Sequence, residues 1–277
     1  MTAMLLSRWR VPLIVTGGIL VVAGIGVLIA VLTNTSGGGD YATGKVPHPG
    51  ATFTAEPVKP EVRPGDIVAT IKGEELQVFD APGGTVTRTL DKWSEATFHP
   101  LTLLAVEQRE EAGTRWLRVM LPVQPNQSTG WIKADQVTLT TTSVEIRIFI
   151  EERELELWDG TELILKAPVA LGTDETPTPP GLYSITDPLD STHNDTGVYG
   201  AYALGLSGFS EVLKTFDGAP PQLAIHGTNQ PELIGQYVSN GCIRMYNEDI
   251  MTVVEHTDLG TPVHIYTSRK AAAEQAA

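Results

Sequence analysis

The chain has 277 residues and a formal charge of −14, with 33 Asp and Glu against 19 Lys and Arg. That length allows one or two globular domains with extensions, and the missing basic excess excludes the stripe that grips phosphate, so nucleic acid is not expected as a partner. The acid excess is concentrated between Val144 and Tyr266, with 5 Lys and Arg against 19 Asp and Glu, which leaves 14 of each elsewhere. Such a surface suits a substrate that offers amines, and it also serves solubility.

Taken in order, the chain predicts a mainly β protein in several parts. Residues 1–10 carry Arg8 and Arg10 and no acid, and residues 11–32 hold no charge. A run of that length spans a hydrocarbon core of ~30 Å as a helix. Its exit, Ala30-Val31-Leu32-Thr33-Asn34, lacks the small-residue pattern of a cleaved signal peptide. A transmembrane signal-anchor is therefore expected, with the N-terminus in the cytoplasm and the rest of the chain outside. Residues 33–63, rich in Gly and Pro, read as a tether that holds the following domains away from the bilayer.

Residues 64–142 give short strands at Ile67 to Ile71, Leu76 to Phe79, Leu101 to Glu107, Trp116 to Leu121, Gly130 to Ile132 and Val137 to Leu139, separated by turn residues. So many strands in so short a stretch predict a small barrel. The closing Thr129-Gly130-Trp131-Ile132 followed by Val137 resembles the end of bacterial SH3-like modules. Trp93, Trp116 and Trp131 are expected to pack in its core rather than to stack on a ligand.

Residues 143–267 predict a second domain, a mixed β-sandwich with one or two short helices. Val144 to Ile150 and Glu154 to Trp158 alternate as half-buried strands, and Leu163 to Ala170 follows a turn at Asp159-Gly160. Gly172 to Gly181 carries three prolines and predicts a rigid loop leading into a strand. Asp187 to Asp217, rich in Gly, Ser, Asp and Tyr, shows little periodicity and reads as long functional loops. Asn247 is expected to cap a helix that Gly260 and Pro262 stop, a closing strand spans Thr261 to Tyr266, and residues 268–277 are expected to be a disordered tail.

The only cysteine, Cys242, lies sixteen positions after His226, and both adjoin glycine. A lone cysteine is ordinarily a buried, inert residue. In an exported chain, however, it cannot form an internal disulfide, and an exposed free thiol is a liability without a task. A thiol with a pKa near ~8.5 needs a base to become a nucleophile at neutral pH, and His226 is the candidate. Leu223 and Ile225 lead into His226-Gly227 as a strand that delivers the histidine at its end. Ser239-Asn240-Gly241-Cys242 predicts a turn whose N–H groups, from Asn240, Gly241 and Cys242, stabilise an oxyanion. A backbone carbonyl near Gly227 or Ser239 is the candidate group to orient the ring. No cofactor is expected. A zinc site from Cys242, His226 and His193 is the weaker alternative, since none of the short ligand spacings of metal sites occurs.

The pairing of His226-Gly227-Thr228 with Ser239-Asn240-Gly241-Cys242-Ile243-Arg244, with fifteen residues between the histidine and the cysteine, resembles the signature of the L,D-transpeptidase (YkuD) catalytic domain. The Thr178-Pro179-Pro180-Gly181 segment resembles the strand that precedes it in that family. Asn240 departs from the pattern, standing where the family usually has a second histidine. It cannot act as a base, so a hydrogen-bonding or loop-shaping role is what remains for it.

The resemblance implies a thioester on Cys242, His226 as general base, and a 3→3 cross-link between peptidoglycan stems, a donor tetrapeptide being attacked by an acceptor amine. It implies substrate contacts at Arg244, Gly227, Thr228, Tyr199 and Tyr202, a location at the cell membrane with the catalytic domain facing the wall, and covalent inhibition by carbapenem β-lactams. An L,D-carboxypeptidase or cross-link-cleaving hydrolase on the same site, or a non-catalytic wall-binding scaffold, are the alternatives.

Overall fold

The computed structural model describes residues 66–276 apart from residues 95, 96, 195 and 217. The expected anchor at 11–32 and the linker at 33–63 lie outside the described residues. Among the described residues no helix is long and apolar enough to cross a membrane.

The first seven strands form one antiparallel sheet. They are β1 (Asp66–Ile71), β2 (Glu75–Phe79), β3 (Val86–Asp91), β4 (Thr102–Glu111), β5 (Thr114–Met120), β6 (Thr129–Lys133) and β7 (Val137–Thr142). Their order is β3-β2-β6-β5-β4-β1-β7. Six of the seven match sequence expectations. The seventh, β3, was invisible because nearly all its residues are exposed and so show no apolar alternation. Leu76, Val78, Leu103, Leu117, Val119 and Ile132 fill the core of this sheet. Trp116 and Trp131 are buried and cluster with Phe79, as packing residues should. Trp93 departs from that expectation: it is 45% exposed, with the Lys92 ammonium 5.1 Å from its ring. The SH3-like character of this segment stays a resemblance.

A second sheet of eight strands follows. It comprises β8 (Val144–Phe149), β9 (Glu154–Asp159), β10 (Glu162–Pro168), β12 (Gly181–Asp190), β13 (Tyr202–Phe209), β14 (Gln222–His226), β16 (Ile243–Arg244) and β17 (Pro262–Tyr266), in the order β10-β9-β8-β17-β12-β13-β14-β16. The short strands β11 (Leu171–Gly172) and β15 (Tyr237–Ser239) pair in parallel beside it. Helix α1 (Asn247–His256) buries Ile250 and Val253 against the core built from Ile146, Leu157, Leu206, Ile225 and Ile243. Burying such side chains supplies about 1.5–3 kcal/mol each.

Three expectations need correction. The stretch Asp187 to Asp217 is not loop throughout: β12 runs on to Asp190, and β13 spans Tyr202–Phe209. Ser207 and Gly208 of β13 are buried as well as Leu204 and Leu206, so no period-2 signal survives. Strands β8 and β9 are buried on both faces rather than half-buried.

The third correction explains the second. The C-terminal segment is not a disordered tail but helix α2 (Arg269–Gln275), capped by the Ser268 hydroxyl, which accepts from the Ala271 N–H. Arg269 inserts its guanidinium between Glu156, at 2.6 Å, and Glu154, over the Phe149 ring at 4.2 Å. Lys166 also approaches Glu154, while Arg147 and His264 approach Glu145. A carboxylate is expensive to bury unless paired, and the polar face of β8 and β9 is closed by Arg147 on β8 itself, Lys166 on β10 and Arg269 from the C-terminal helix.

Candidate active site

Strands β14 and β16 are parallel neighbours, with Ile225 opposite Ile243 and His226 opposite Arg244. His226 ends β14, as the sequence predicts, and Cys242 immediately precedes β16. Both therefore emerge at one edge of the sheet, and both line a cavity of about 410 Å³ together with Tyr199, Asn240 and Arg244.

The imidazole is held tightly. His226 is only 4% exposed, and its Nδ1 lies 2.6 Å from the Gly227 carbonyl oxygen. A carbonyl can only accept, so Nδ1 carries the proton and Nε2 is left as the basic nitrogen. Tyr199 stands edge-on to the ring at 5.2 Å. Burial, and secondarily the positive charge of Arg244, pull the His226 pKa down to about 4, against the opposing influence of the Gly227 carbonyl. Burial pushes the Cys242 thiol up, with a backbone hydrogen bond at Ala224 and the Arg244 charge acting the other way. At neutral pH the pair is thus neutral thiol and neutral imidazole rather than a preformed ion pair.

The turn before Cys242 is built differently from expectation. Gly241 sits at φ +111, where a side chain would be strained. Its N–H donates to the Ser239 hydroxyl at 3.1 Å, and that hydroxyl donates to the Cys242 carbonyl at 2.6 Å. The Gly241 N–H is therefore spent on the turn, which corrects the expectation of three amides converging on an oxyanion. Ser239 is buried and shapes the loop; Asn240 is exposed at the cavity wall.

The proline-containing loop clamps this turn. The Thr178 hydroxyl accepts from the Gly172 N–H at 3.0 Å and donates to the Gly241 carbonyl at 2.9 Å, while the Thr176 hydroxyl donates to the Ser239 carbonyl at 3.0 Å. Arg244 is fixed through its backbone, which exchanges hydrogen bonds with Ala170. The Nε of its guanidinium is buried without a partner, leaving a donor for a ligand.

Of the other expected contact residues, Tyr199 faces the cavity, but Gly227, Thr228 and Tyr202 do not line it. Gly227 acts through its carbonyl, Thr228 is buried and accepts the Gln230 N–H, and Tyr202 packs against the core. His193 is exposed and outside the lining. Among the described residues no cluster of three His, Cys, Asp or Glu side chains suited to a metal ion occurs.

Asn247 is the residue that sequence reasoning misplaced. The cap position of α1 is Tyr246, and the Asn247 carboxamide oxygen instead accepts from the Ala201 N–H at 3.1 Å and the Thr228 N–H at 3.0 Å. A Cβ at Gly227 would lie 2.2 Å from that oxygen, so the glycine after His226 is what allows the approach. The residue type, a short amide at a helix start, reads equally as a cap or as a brace; only its neighbours in space decide.

The family model for the L,D-transpeptidase catalytic domain, YkuD, matches residues 143–265. A protein of Bacillus licheniformis bearing the name L,D-transpeptidase YkuD is 31% identical over 155 residues, covering 53% of this chain and 85% of that protein. Its namesake in Bacillus subtilis is 34% identical over 125 residues, covering 45% and 67%. The chain belongs to the L,D-transpeptidase YkuD family. Among solved structures, an L,D-transpeptidase from Mycobacterium tuberculosis H37Rv is 15% identical and covers 55% of this chain and 90% of that one, at a TM-score of 0.39. At that score the likeness carries no argument of its own.

Proposed function

We propose that the protein is a cysteine-dependent L,D-transpeptidase that forms 3→3 cross-links in peptidoglycan. The observation that supports this most directly is the meeting of Cys242, His226 and Arg244 at one cavity, with the His226 ring turned by the Gly227 carbonyl so that Nε2 is the free base.

In the first half, Cys242 Sγ attacks the carbonyl that joins the third residue of a donor tetrapeptide stem to its terminal D-alanine. The thiol proton passes to His226 Nε2 as the S–C bond forms, because neither group is charged at rest. The N–H groups of Asn240 and Cys242 are the donors that remain for the oxyanion, and a positioned donor of this kind is worth about 3–4 kcal/mol of barrier. The C–N bond breaks, and D-alanine leaves with the proton from His226. In the second half, the acceptor amine attacks the thioester and gives a proton to His226 Nε2 as the N–C bond forms; the C–S bond breaks, His226 passes that proton to sulfur, and the free thiol is regenerated. No external oxidant, metal or cofactor enters the balance. Arg244 supplies a fixed positive charge for a substrate carboxylate.

The uncharged segment 11–32 and the tether behind it support placement at the cell membrane with the catalytic domain facing the wall, and a thiol nucleophile of this kind is also a candidate for acylation by carbapenem β-lactams. Replacing the acceptor amine by water gives an L,D-carboxypeptidase from the same thioester. Mass spectrometry of the protein after one turnover with a tetrapeptide stem tests the thioester, and an unmodified Cys242 would sink the enzyme reading. Muropeptide products then separate cross-linking from hydrolysis: dimers joined 3→3 support the transpeptidase, whereas monomeric tripeptide alone overturns it in favour of the hydrolase.

A further inference from the structure

The cavity is a trough laid across the face of three strands. Its floor is made by alternate residues of each: Asp187 and Leu189 on β12, Ala203 and Gly205 on β13, and Gln222, Ala224 and His226 on β14. The pairings place Leu189, Ala203 and His226 in one row, and Asp187, Gly205 and Ala224 in the next. The central positions are all Ala or Gly, which lowers the floor and leaves room for a chain to lie on it. At strand spacings of ~4.8 Å and ~3.4 Å per residue, the Asp187 and His226 Cα atoms stand roughly 12 Å apart along the diagonal.

Asp187 is 7% exposed, and its carboxylate is held by uncharged donors: the Ser94 and Thr97 hydroxyls to Oδ1, the latter at 3.0 Å, and the Gln222 amide to Oδ2 at 2.9 Å. No cation pairs with it among the described residues, in contrast to the buried carboxylates Glu145, Glu154 and Glu156, each of which has one. His99, the nearest titratable ring on the same connection, contacts Thr97 rather than the carboxylate. A buried charge without a counter-ion is costly. This one faces a trough whose other formal charge is Arg244 at the catalytic end.

Two of the three donors, Ser94 and Thr97, come from the connection between β3 and β4 of the first sheet, and Thr97 itself lines the trough. The N-terminal sheet therefore completes the wall of the site on the second sheet.

We infer that Asp187, braced by Ser94 and Thr97, is the specificity-determining anchor for a primary ammonium on the donor peptide, carried by the side chain of the residue whose carbonyl meets Cys242. The inference rests on the transpeptidase reading for the identity of the peptide, but not for the charge it selects. A long amine-bearing side chain lying over Ala203, Gly205 and Ala224 brings its ammonium to Asp187, and the N-terminal sheet contributes to substrate choice through that carboxylate.

The test uses the full chain carrying Cys242→Ala, which cannot turn over, and isothermal calorimetry with two tetrapeptides, L-Ala-γ-D-Glu-L-Lys-D-Ala and the same peptide with norleucine in place of lysine. The lysine peptide is expected to bind at least tenfold more tightly, and Asp187→Asn on the same background to bring the two within twofold. Thr97→Val, which removes one brace and keeps the carboxylate, should reduce the preference about threefold. Equal binding of the two peptides by the parent, no binding of either, or a preference that survives Asp187→Asn would overturn the inference. The parent comparison stands even if Asp187→Asn fails to fold. Failure of the wild-type chain to acylate with either peptide would count against the transpeptidase reading alone, because the binding ratio is measured without turnover.

Discussion

Burying a neutral imidazole makes folding depend on pH in a direction and size that can be worked out. His226 has a folded-state pKa of about 4, set chiefly by burial, against an ordinary value of 6.5. Because the folded pKa is the lower one, the unfolded chain binds a proton that the folded chain refuses between these two values. The contribution is complete above about pH 6.5 and is lost as pH falls toward 4. At pH 4.5 the unfolded imidazole has gained about two units' worth of proton binding and the folded one almost none, so at ~1.36 kcal/mol per unit the loss is about 2.5 kcal/mol. Urea unfolding followed by tryptophan fluorescence, at pH 7.5 and pH 4.5, should show wild type losing about 2–3 kcal/mol more than His226→Gln over that interval. Carboxylates common to both proteins cancel in the comparison. Equal losses in the two proteins would refute the burial argument and would imply an imidazole that is solvated, or already protonated, in the fold.

Further outcomes follow from individual contacts. Cys242→Ala should abolish acylation while leaving the unfolding free energy within about 1 kcal/mol, since it removes a single sulfur atom from a residue that lines the cavity; loss of the fold would make the residue structural. Asn240→His should leave the acylation rate within about tenfold, equivalent to ~1.4 kcal/mol of barrier, because the exposed Asn240 faces the cavity without handling protons; stopped-flow acylation with a carbapenem measures it. Asn247→Ala strands the N–H groups of Ala201 and Thr228, which at about 1–3 kcal/mol for each buried orphan should cost roughly 2–4 kcal/mol of stability. It should also slow acylation by loosening the turn after His226. Asn247→Asp keeps the accepting oxygen and should recover most of both losses; if it behaves like the alanine variant, the brace is not a hydrogen-bonding one.

Much of the site could be read from the chain. His226 at a strand end, a glycine-containing turn before Cys242 and a proline-containing loop near them are local patterns, and the structure has each where the pattern predicts. Sequence reasoning also offered a backbone carbonyl near Gly227 or Ser239 as the group that orients the ring, and the structure has the Gly227 carbonyl in that place, because a residue's own neighbours are its nearest acceptors. It failed where a side chain's partner lies far along the chain. Asn247 braces a turn nineteen residues earlier, and Asp187 takes two hydroxyls from the connection between β3 and β4.

By itself, then, the sequence determined the β-rich character of the fold, the strand that ends at His226 and the glycine-containing turn before Cys242. These rest on hydrophobic period, turn chemistry and spacing, which act over a few residues. Tertiary structure alone decided that Arg269 neutralises Glu154 and Glu156 and orders the C-terminus as a helix. It alone decided that no cation among the described residues pairs with Asp187, and that Ala203, Gly205 and Ala224 line up as the floor of a trough. Such features depend on strand order and register across the sheet, and a one-residue slip in register would turn every one of those side chains to the other face.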